Sequence, residues 1–393
     1  MPICDGGFRQ TFCEAGMINV VHVLEATEGG TRRWIEDVLL GLQHPQIKHS
    51  LICAVRREPD FADTIVRLRA ADIPVWVLDM RRAIHPWRDC FAMWRIAKIL
   101  RAGRFEIIHA HSAKAGVLAR IAALFGSKAI VVYTPHAYPF LQGGWVGRLY
   151  HELEKGLVRY TGILLAVSRA EADAALTLGH DADRVQTIVN GTAVGRTLGS
   201  SDRVSGGGPF VIGTVARFCN QKDHESLIRA VAQLRDSGCR VALEWCGAGP
   251  HIERARQLVL QLGIADCVSM PGRVNDVSNR MARWDTFVLS THYEGMPYAL
   301  LDAMAAGLPV VATRAPGVEE VIVQKENGLL VEPGSADAIF RGLQEYTVDP
   351  EFARGMGGAA QEHVRLHYSR ERQLEQLTAF YLLEGQERGG HDI

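Results

Sequence analysis

The sequence is short of the features that mark several common classes of protein. Its eight cysteines include no CxxC pair, and no stretch approaches the roughly 18 consecutive apolar residues of a membrane-spanning helix. The amino terminus has neither the charged nor the apolar region of a secretory signal peptide. We therefore expect reduced, buried cysteines and a cytoplasmic protein.

Signals for nucleic acids and cofactors are also missing. The formal net charge is only -1, and without a basic arm or zinc-finger spacing a nucleic-acid partner is not expected. No His, Asp or Glu cluster has metal-ligand spacing, and the DxD-like sequence Asp181-Ala-Asp183 lies in a polar turn. We expect neither a metal nor another cofactor.

What the sequence does have is length for two domains and a regular alternation of strands and helices. A chain of 393 residues exceeds one ordinary core. Short apolar runs separated by helical patterns predict an α/β protein with two parallel sheets. The predicted strands are 18–24, 50–55, 74–78, 106–110, 129–133, 162–167 and 185–189, then 210–215, 240–245, 267–270, 286–289, 309–312 and 328–331.

A glycine-rich segment separates the two halves. Residues 200–209, SSDRVSGGGP, have the composition of an exposed linker. We therefore predict a domain over 1–203, a second over 204–368, and a terminal helix and tail over 369–393. Three helical patterns follow residue 335.

Candidate site residues follow predicted strands. The Gly29-Gly30 pair opens a helix after the first strand, where backbone N–H groups can approach an anion or where glycine serves the turn alone. Arg217 and Lys222 follow the first strand of the second half. Together they suit a diphosphate, and surface charge is the alternative.

A third motif, Glu294-Gly-Met-Pro297, precedes a helix that contains Asp302. Eight residues are just over two helical turns, so the two carboxylates can address different parts of one extended ligand. The alternatives are helix capping for Glu294 and a solvated helix face for Asp302.

Together these motifs resemble the retaining glycosyltransferases of the GT-B fold, family 4. The resemblance rests on the Arg-x4-Lys setting, the Glu294-Gly-x-Pro turn and the following run from Ala303 to Ala312. It also takes in Asn190-Gly191, Cys246-Gly-Ala-Gly-Pro250, Met270-Pro-Gly272 and residues 327–333. His109-Ala-His-Ser112 and Tyr133-Thr-Pro-His136 look like those of members that build capsular, exopolysaccharide or lipopolysaccharide chains.

The resemblance implies two Rossmann-like domains facing a central cleft, the first for the acceptor and the second for a nucleotide-sugar donor, with the terminal helix crossing back. It also implies roles for matching positions. Catalytic positions would be Arg217, Lys222, Glu294 and His136; donor-binding positions Gly29, Gly30, Gly247, Gly295, Met296, Pro297 and Asp302; and acceptor-side positions His109, His111 and Lys114. Asp302 departs from the usual glutamate, which shortens its reach toward a ribose.

His109 and His111 need separate weighing. They alternate on one predicted strand, so both point to the same face, which is either cleft wall or core.

The segment 81–104 combines seven basic residues and one acid with Trp87, Phe91 and Trp94 on a predicted helix from residue 88. It suits an anionic inner-leaflet membrane surface, or else packs as an amphipathic helix with a wet basic face.

The resulting hypothesis is hexosyl transfer from a UDP- or GDP-sugar to a lipid-linked saccharide, with retention of configuration. A sugar-nucleotide 2-epimerase with two Rossmann-like halves and a non-catalytic nucleotide-sugar-binding subunit are the alternatives.

Overall fold

In a computed structural model, the protein consists of two parallel sheets with helices between their strands. The structure describes residues 16–56, 58, 60–81, 83–138, 140, 144–195 and 208–389. Most of the expected linker at 200–209, the boundary at residue 203 and the last residues of the tail lie outside the described residues, so the domain boundaries stay a prediction.

The first sheet has seven parallel strands in the order β3-β2-β1-β4-β5-β6-β7. The strands are β1 Ile18–Leu24, β2 Ile47–Cys53, β3 Val75–Val77, β4 Ile107–His111, β5 Ile130–Thr134, β6 Ile163–Ala166 and β7 Val185–Thr187. All seven coincide with predicted apolar runs to within a few residues. The central strands β1, β4 and β6 are buried along nearly their whole length, as parallel strands covered on both faces are.

The second sheet has six parallel strands in the order β10-β9-β8-β11-β12-β13. The strands are β8 Phe210–Val215, β9 Val241–Cys246, β10 Val268–Gly272, β11 Thr286–Leu289, β12 Val310–Thr313 and β13 Leu329–Val331. Successive residues of β11 alternate between two cores: Phe287 and Leu289 pack in one, and Val288 packs in the other. Both faces are therefore covered, as expected for a doubly wound sheet.

Helices connect the strands, and three more follow the last strand, as predicted. They are α1 Gly29–Gly41, α2 Phe61–Ala70, α3 Pro86–Gly103, α4 Ser112–Ala123, α5 Gly144–Leu157, α6 Arg169–Leu178, α7 His224–Asp236, α8 Ile252–Gln261, α9 Val277–Met281, α10 Tyr298–Ala305, α11 Pro316–Glu319, α12 Ala336–Val348, α13 Pro350–His367 and α14 Arg370–Gly389. Side-chain caps mark several starts: Asp223 accepts from Ser226 N, Ser168 from Glu171 N and Ser335 from Ala338 N.

The described chain divides into two compact units. The first takes in residues 16–134, 159–163 and 376–389, and the second takes in 135–158 and 164–375. The whole of the second sheet and the loop that begins at Pro135, directly after β5, therefore belong to the second unit.

The cysteines match expectation only in part. Cys53 and Cys246 are buried, and all six cysteines in the described residues are free thiols. Cys90 on α3 is exposed, which corrects the expectation of burial there. Cys4 and Cys13 lie outside the described residues. Across the part of the chain that the structure describes, no helix combines the length and the apolar character needed to cross a membrane.

Candidate active site

The predicted residues of the second half gather at one edge of the second sheet. Strands β9, β8 and β11 are neighbours in that order, and parallel strands bring their carboxyl ends to the same edge. The loops that follow them carry Gly247, the Arg217–Lys222 segment and the Glu294 turn, in that order across the sheet. The topology thus joins three segments that are far apart in sequence.

Gly247 lets the first two of these loops approach closely. A Cβ atom at Gly247 would lie 2.0 Å from the carbonyl oxygen of Ala216, immediately before Arg217. Ala216 also accepts a hydrogen bond of 3.0 Å from the indole of Trp245. Glycine is required here by the neighbouring backbone, which leaves no room for a side chain.

The loop after β8 pairs with the loop after β11. Lys222 and Thr291 form an isolated antiparallel bridge, and His292 N donates to Gln221 O at 2.9 Å. The backbone therefore fixes the position of Lys222 against the Glu294 turn.

The side chains complete this junction. The Lys222 ammonium forms an ion pair with Glu294 Oε1, and the two side chains are only 11% and 10% exposed. Thr291 Oγ1 donates to the same oxygen at 2.9 Å, and Gln221 Nε2 donates to Oε2 at 3.3 Å. Lys222 is thus a positioned cation rather than a solvated surface charge. One N–H of the ammonium is used by Glu294, which leaves two for another anion.

Glu294 is not a helix cap. Helix α10 begins after Pro297, whose side chain makes no capping hydrogen bond, and the carboxylate of Glu294 is held by Lys222, Thr291 and Gln221 instead. The capping alternative was therefore wrong. Arg217 is exposed at the same strand end, and its contact with a ligand stays a prediction.

Asp302 lies within α10, eight residues beyond Glu294, as expected. Its carboxylate is half-buried and accepts a hydrogen bond of 2.5 Å from Thr192 Oγ1. Nearby, Asn190 Nδ2 donates to the carbonyl oxygen of Met296 at 3.1 Å. These contacts anchor the Gly295–Pro297 turn and occupy one oxygen of Asp302. A ribose contact by Asp302 stays a prediction.

His136 contacts this turn from a strained loop. His136 and Ala137 both have left-handed backbones, with φ of 55° and 87°, a conformation uncommon for residues other than glycine. A Cβ atom at Gly295 would lie 3.0 Å from Ala137 N and 3.3 Å from His136 C. Burial lowers the pKa of His136 to about 3, so its imidazole is neutral near pH 7 and can donate and accept hydrogen bonds.

Glu171, which the motifs did not single out, holds that loop. Its buried carboxylate accepts from Ala137 N at 2.7 Å and from Val167 N at 2.8 Å. Burial, helped by the nearby Glu320 carboxylate, raises the pKa of Glu171 to about 7 against the opposing effect of these N–H groups. The Ser168-x-x-Glu171 spacing of a capping box was the available signal. A capping box, however, predicts a local bond and not the contact with Ala137.

The remaining predicted residues lie in the first unit. Gly29 and Gly30 are exposed at the start of α1. Gly29 has φ of 58°, so at this position the turn itself requires glycine. Phosphate contact by the pair stays a prediction.

His109 and His111 are fully buried. His109 Nδ1 lies 2.7 Å from Tyr381 Oη, and its Nε2 lies 2.8 Å from Thr134 Oγ1. His111 Nε2 lies 3.0 Å from His22 Nδ1. Of the two alternatives that the sequence left open, cleft wall or core, the structure places both histidines in the core. A role toward an acceptor stays a prediction.

His22, His109 and His111 bring nitrogen atoms within 4.8 Å of one another, as metal ligands do. The ring centroids of His22 and His111 are 5.3 Å apart and their facing nitrogens are 3.0 Å apart, so the rest of the centroid distance is taken up by the two ring radii. The two nitrogens therefore lie on the line between the ring centres and point at each other. That geometry is an N–H···N hydrogen bond, whereas ligands of one ion direct their lone pairs to a common point.

Lys114 lies in the first turn of α4, where its ammonium pairs with Asp89 of α3. Its side chain is 13% exposed. The pair fixes α3 against α4, and a contact with acceptor stays a prediction.

Two family models match adjoining parts of the chain. "Glycosyl transferase 4-like domain" matches residues 29–191, and "Glycosyl transferases group 1" matches residues 200–363. The chain also has two Rossmann-like domains, each with a parallel sheet. It therefore belongs to the group 1 glycosyltransferases of the GT-B fold. The resemblance to the family-4 glycosyltransferases of the GT-B fold is thereby confirmed, and retention of configuration stays a prediction.

Individual relatives with similar sequences are named as glycosyltransferases, and a solved structure with a similar fold is named with UDP and glucose. The putative glycosyltransferase EpsD of Bacillus subtilis is 27% identical over 328 residues, which cover 77% of this chain and 83% of EpsD. A UDP-Gal:alpha-D-GlcNAc-diphosphoundecaprenol alpha-1,3-galactosyltransferase of Escherichia coli is 24% identical over 349 residues, covering 84% and 88%. Among solved structures, Anabaena HepE in complex with UDP and glucose superposes with a TM-score of 0.77 at 20% identity, covering 92% of this chain and 99% of HepE.

Proposed function

We propose that this glycosyltransferase moves a hexosyl group from a UDP- or GDP-sugar to a lipid-linked saccharide, with retention of anomeric configuration, during assembly of a bacterial surface or exopolysaccharide. The observation that carries the proposal is the junction of Lys222 with the Glu294 turn at the carboxyl edge of the second sheet. Ligands of open parallel sheets bind at this edge.

The donor's diphosphate would lie on Arg217 and Lys222. As the glycosidic bond lengthens, negative charge grows on the leaving phosphate. A cation whose position is already fixed stabilises that charge without reorganising, and so lowers the barrier. The Lys222 ammonium meets this requirement because Glu294 and the Thr291 bridge hold it. The two cations supply the charge stabilisation, so we propose no metal requirement.

The sugar would lie between the Glu294 turn and His136. Glu294 would accept hydrogen bonds from sugar hydroxyls, and the neutral imidazole of His136 would contact the transferred sugar and the acceptor. Gly247 and the Gly295–Pro297 turn would contact the donor through their backbone groups. In this mechanism no protein carboxylate attacks the sugar, and the leaving phosphate takes the acceptor's proton.

Two comparisons support the substrate classes. The E. coli relative is named for a UDP-galactose donor and a diphosphoundecaprenol-linked acceptor, and HepE was solved with UDP and glucose. A lipid-linked acceptor would place the enzyme in the cytoplasm, at the inner face of the membrane.

The test is a panel of UDP-, GDP- and ADP-hexoses. A bound donor should raise the melting temperature, because binding to the folded state alone adds stability. The donor that does so should then be consumed with a saccharide acceptor, and NMR of the product should show the donor's anomeric configuration. Epimer formation without acceptor would identify an epimerase, and donor binding without transfer or hydrolysis would identify a binding subunit. Either result would reject the proposal.

A further inference from the structure

Helix α3 presents an exposed aromatic stripe. Trp87, Phe91 and Trp94 are spaced by four and three residues and so share one helix face. Their side chains are 88%, 58% and 56% exposed. The opposite face of the same helix is buried against the core through Ala92, Ile96, Ala97, Ile99 and Leu100. The helix is therefore amphipathic, as the packing alternative expected, and contact with a membrane stays a prediction.

Two basic side chains extend the aromatic stripe along the same face of α3. Lys98 and Arg101 follow Trp94 at spacings of four and three residues, on the same face and exposed. The Lys98 ammonium lies 5.8 Å from the centre of the Trp94 ring. The single acidic residue of α3, Asp89, pairs with Lys114 and is 17% exposed. The exposed face thus combines aromatic rings with positive charge and carries no acid.

A cavity of about 490 Å³ opens beside the cationic end of the stripe. It is lined by Trp94, Lys98, Arg101 and Phe125, with Met93 and Ala97. Phe125, just beyond α4, is itself 51% exposed. An apolar lining bordered by two cations matches one kind of ligand, in which an anionic head group is joined to a hydrocarbon chain.

We infer that this α3 face docks on a bilayer containing anionic phospholipid, with the aromatic rings in the interface and a lipid phosphate at Lys98 and Arg101. The inference deepens the proposed function and rests on it for the location of the acceptor. Charge decides between a membrane and a second copy of the chain. Two copies would bring like charges together, whereas an anionic leaflet neutralises them. Aromatic side chains prefer the level of the lipid head groups.

The test is flotation of the full chain with vesicles of phosphatidylcholine alone or mixed with phosphatidylglycerol. We expect binding to the mixed vesicles that weakens with added salt. Lys98→Gln with Arg101→Gln should weaken binding by about fivefold for each removed cation. Trp87→Ser, Phe91→Ser and Trp94→Ser should weaken it by roughly tenfold each. The matched control on α8, Arg256→Gln with Leu260→Ser, removes one exposed cation and one exposed apolar residue and should bind as wild type.

Circular dichroism and melting temperature should show that each variant is folded. Equal binding by the stripe variants, equal binding to both vesicle types, or a dimer that these substitutions dissociate would overturn the inference. A second measurement separates it from the proposed function. Sugar transfer to a water-soluble acceptor without vesicles should be unchanged in the stripe variants. If the wild-type protein shows no such transfer, the proposed reaction is rejected. The vesicle-binding result still tests the docking face independently.

Discussion

Replacing Lys222 by methionine tests the donor site most directly. The substitution keeps an unbranched side chain that is one atom shorter and removes the charge that pairs with Glu294. At an effective dielectric constant near 20, a unit charge about 4 Å away contributes about 4 kcal/mol. Only the part of the leaving group's charge that grows in the transition state counts toward the rate. We therefore expect turnover to fall by about two to three orders of magnitude, as for other preorganised donors.

The same change should affect stability less than activity. Glu294 keeps its hydrogen bonds from Thr291 and Gln221, so the loss of Lys222 should cost about 1–2 kcal/mol, less than breaking a fully buried pair. Adding Glu294→Gln removes the uncompensated carboxylate and should restore stability without restoring turnover. Restored stability would show that the loss in Lys222→Met comes from the uncompensated carboxylate of Glu294.

The assay is release of nucleoside diphosphate at saturating donor, together with urea unfolding of each variant. Lys325→Met is the matched control, because Lys325 forms an exposed pair with Glu345 at 3.4 Å, with side chains 60% and 43% exposed. It should change the free energy of unfolding by less than about 1 kcal/mol and leave turnover unchanged. Near-wild-type turnover in folded Lys222→Met protein would refute the assignment of Lys222.

Three further predictions concern the surroundings of the site and the first sheet. Gly247→Ala should lower stability by about 1–3 kcal/mol, since its Cβ would meet the Ala216 carbonyl oxygen at 2.0 Å. It should also reduce the donor-induced rise in melting temperature. The control Gly355→Ala, with open space at its Cβ, should have neither effect. Burial lowers the pKa of His49 from 6.5 to about 4, so the folded state binds its proton less readily than the unfolded state. The free energy of unfolding should therefore be unaffected by His49 above pH 6.5 and should fall as pH drops toward 4, by about 3 kcal/mol at pH 4. Urea unfolding of His49→Gln should lack that loss. Burial raises the pKa of Glu171 from 4.5 to about 7, so the folded state binds this proton more tightly and the protein loses stability as pH rises. In Glu171→Gln, the difference in unfolding free energy between pH 5 and pH 8 should therefore change by about 2 kcal/mol. An unchanged pH profile would contradict the burial argument.

Local pattern was sufficient for the strands and for the order of the motifs. Short apolar runs predicted the strands of both sheets, because the central parallel strands are buried on both faces and are apolar along most of their length. The edge strands β3, β7 and β10 are more exposed. The same runs placed Arg217, Lys222 and Glu294 after strands, where parallel sheets bind ligands. These features depend on neighbours in sequence, so the sequence by itself determined them.

The partners of those residues were decided only by the tertiary structure. Lys222 meets Glu294 because β8 lies beside β11, its neighbour in the sheet but not in the chain. Glu171 reaches Ala137 across 34 residues. Helix α3 likewise has enough apolar residues for two faces, and only packing selects which one is buried. Contacts of this kind depend on which segments become neighbours in space, and the composition or period of a single segment does not contain that information.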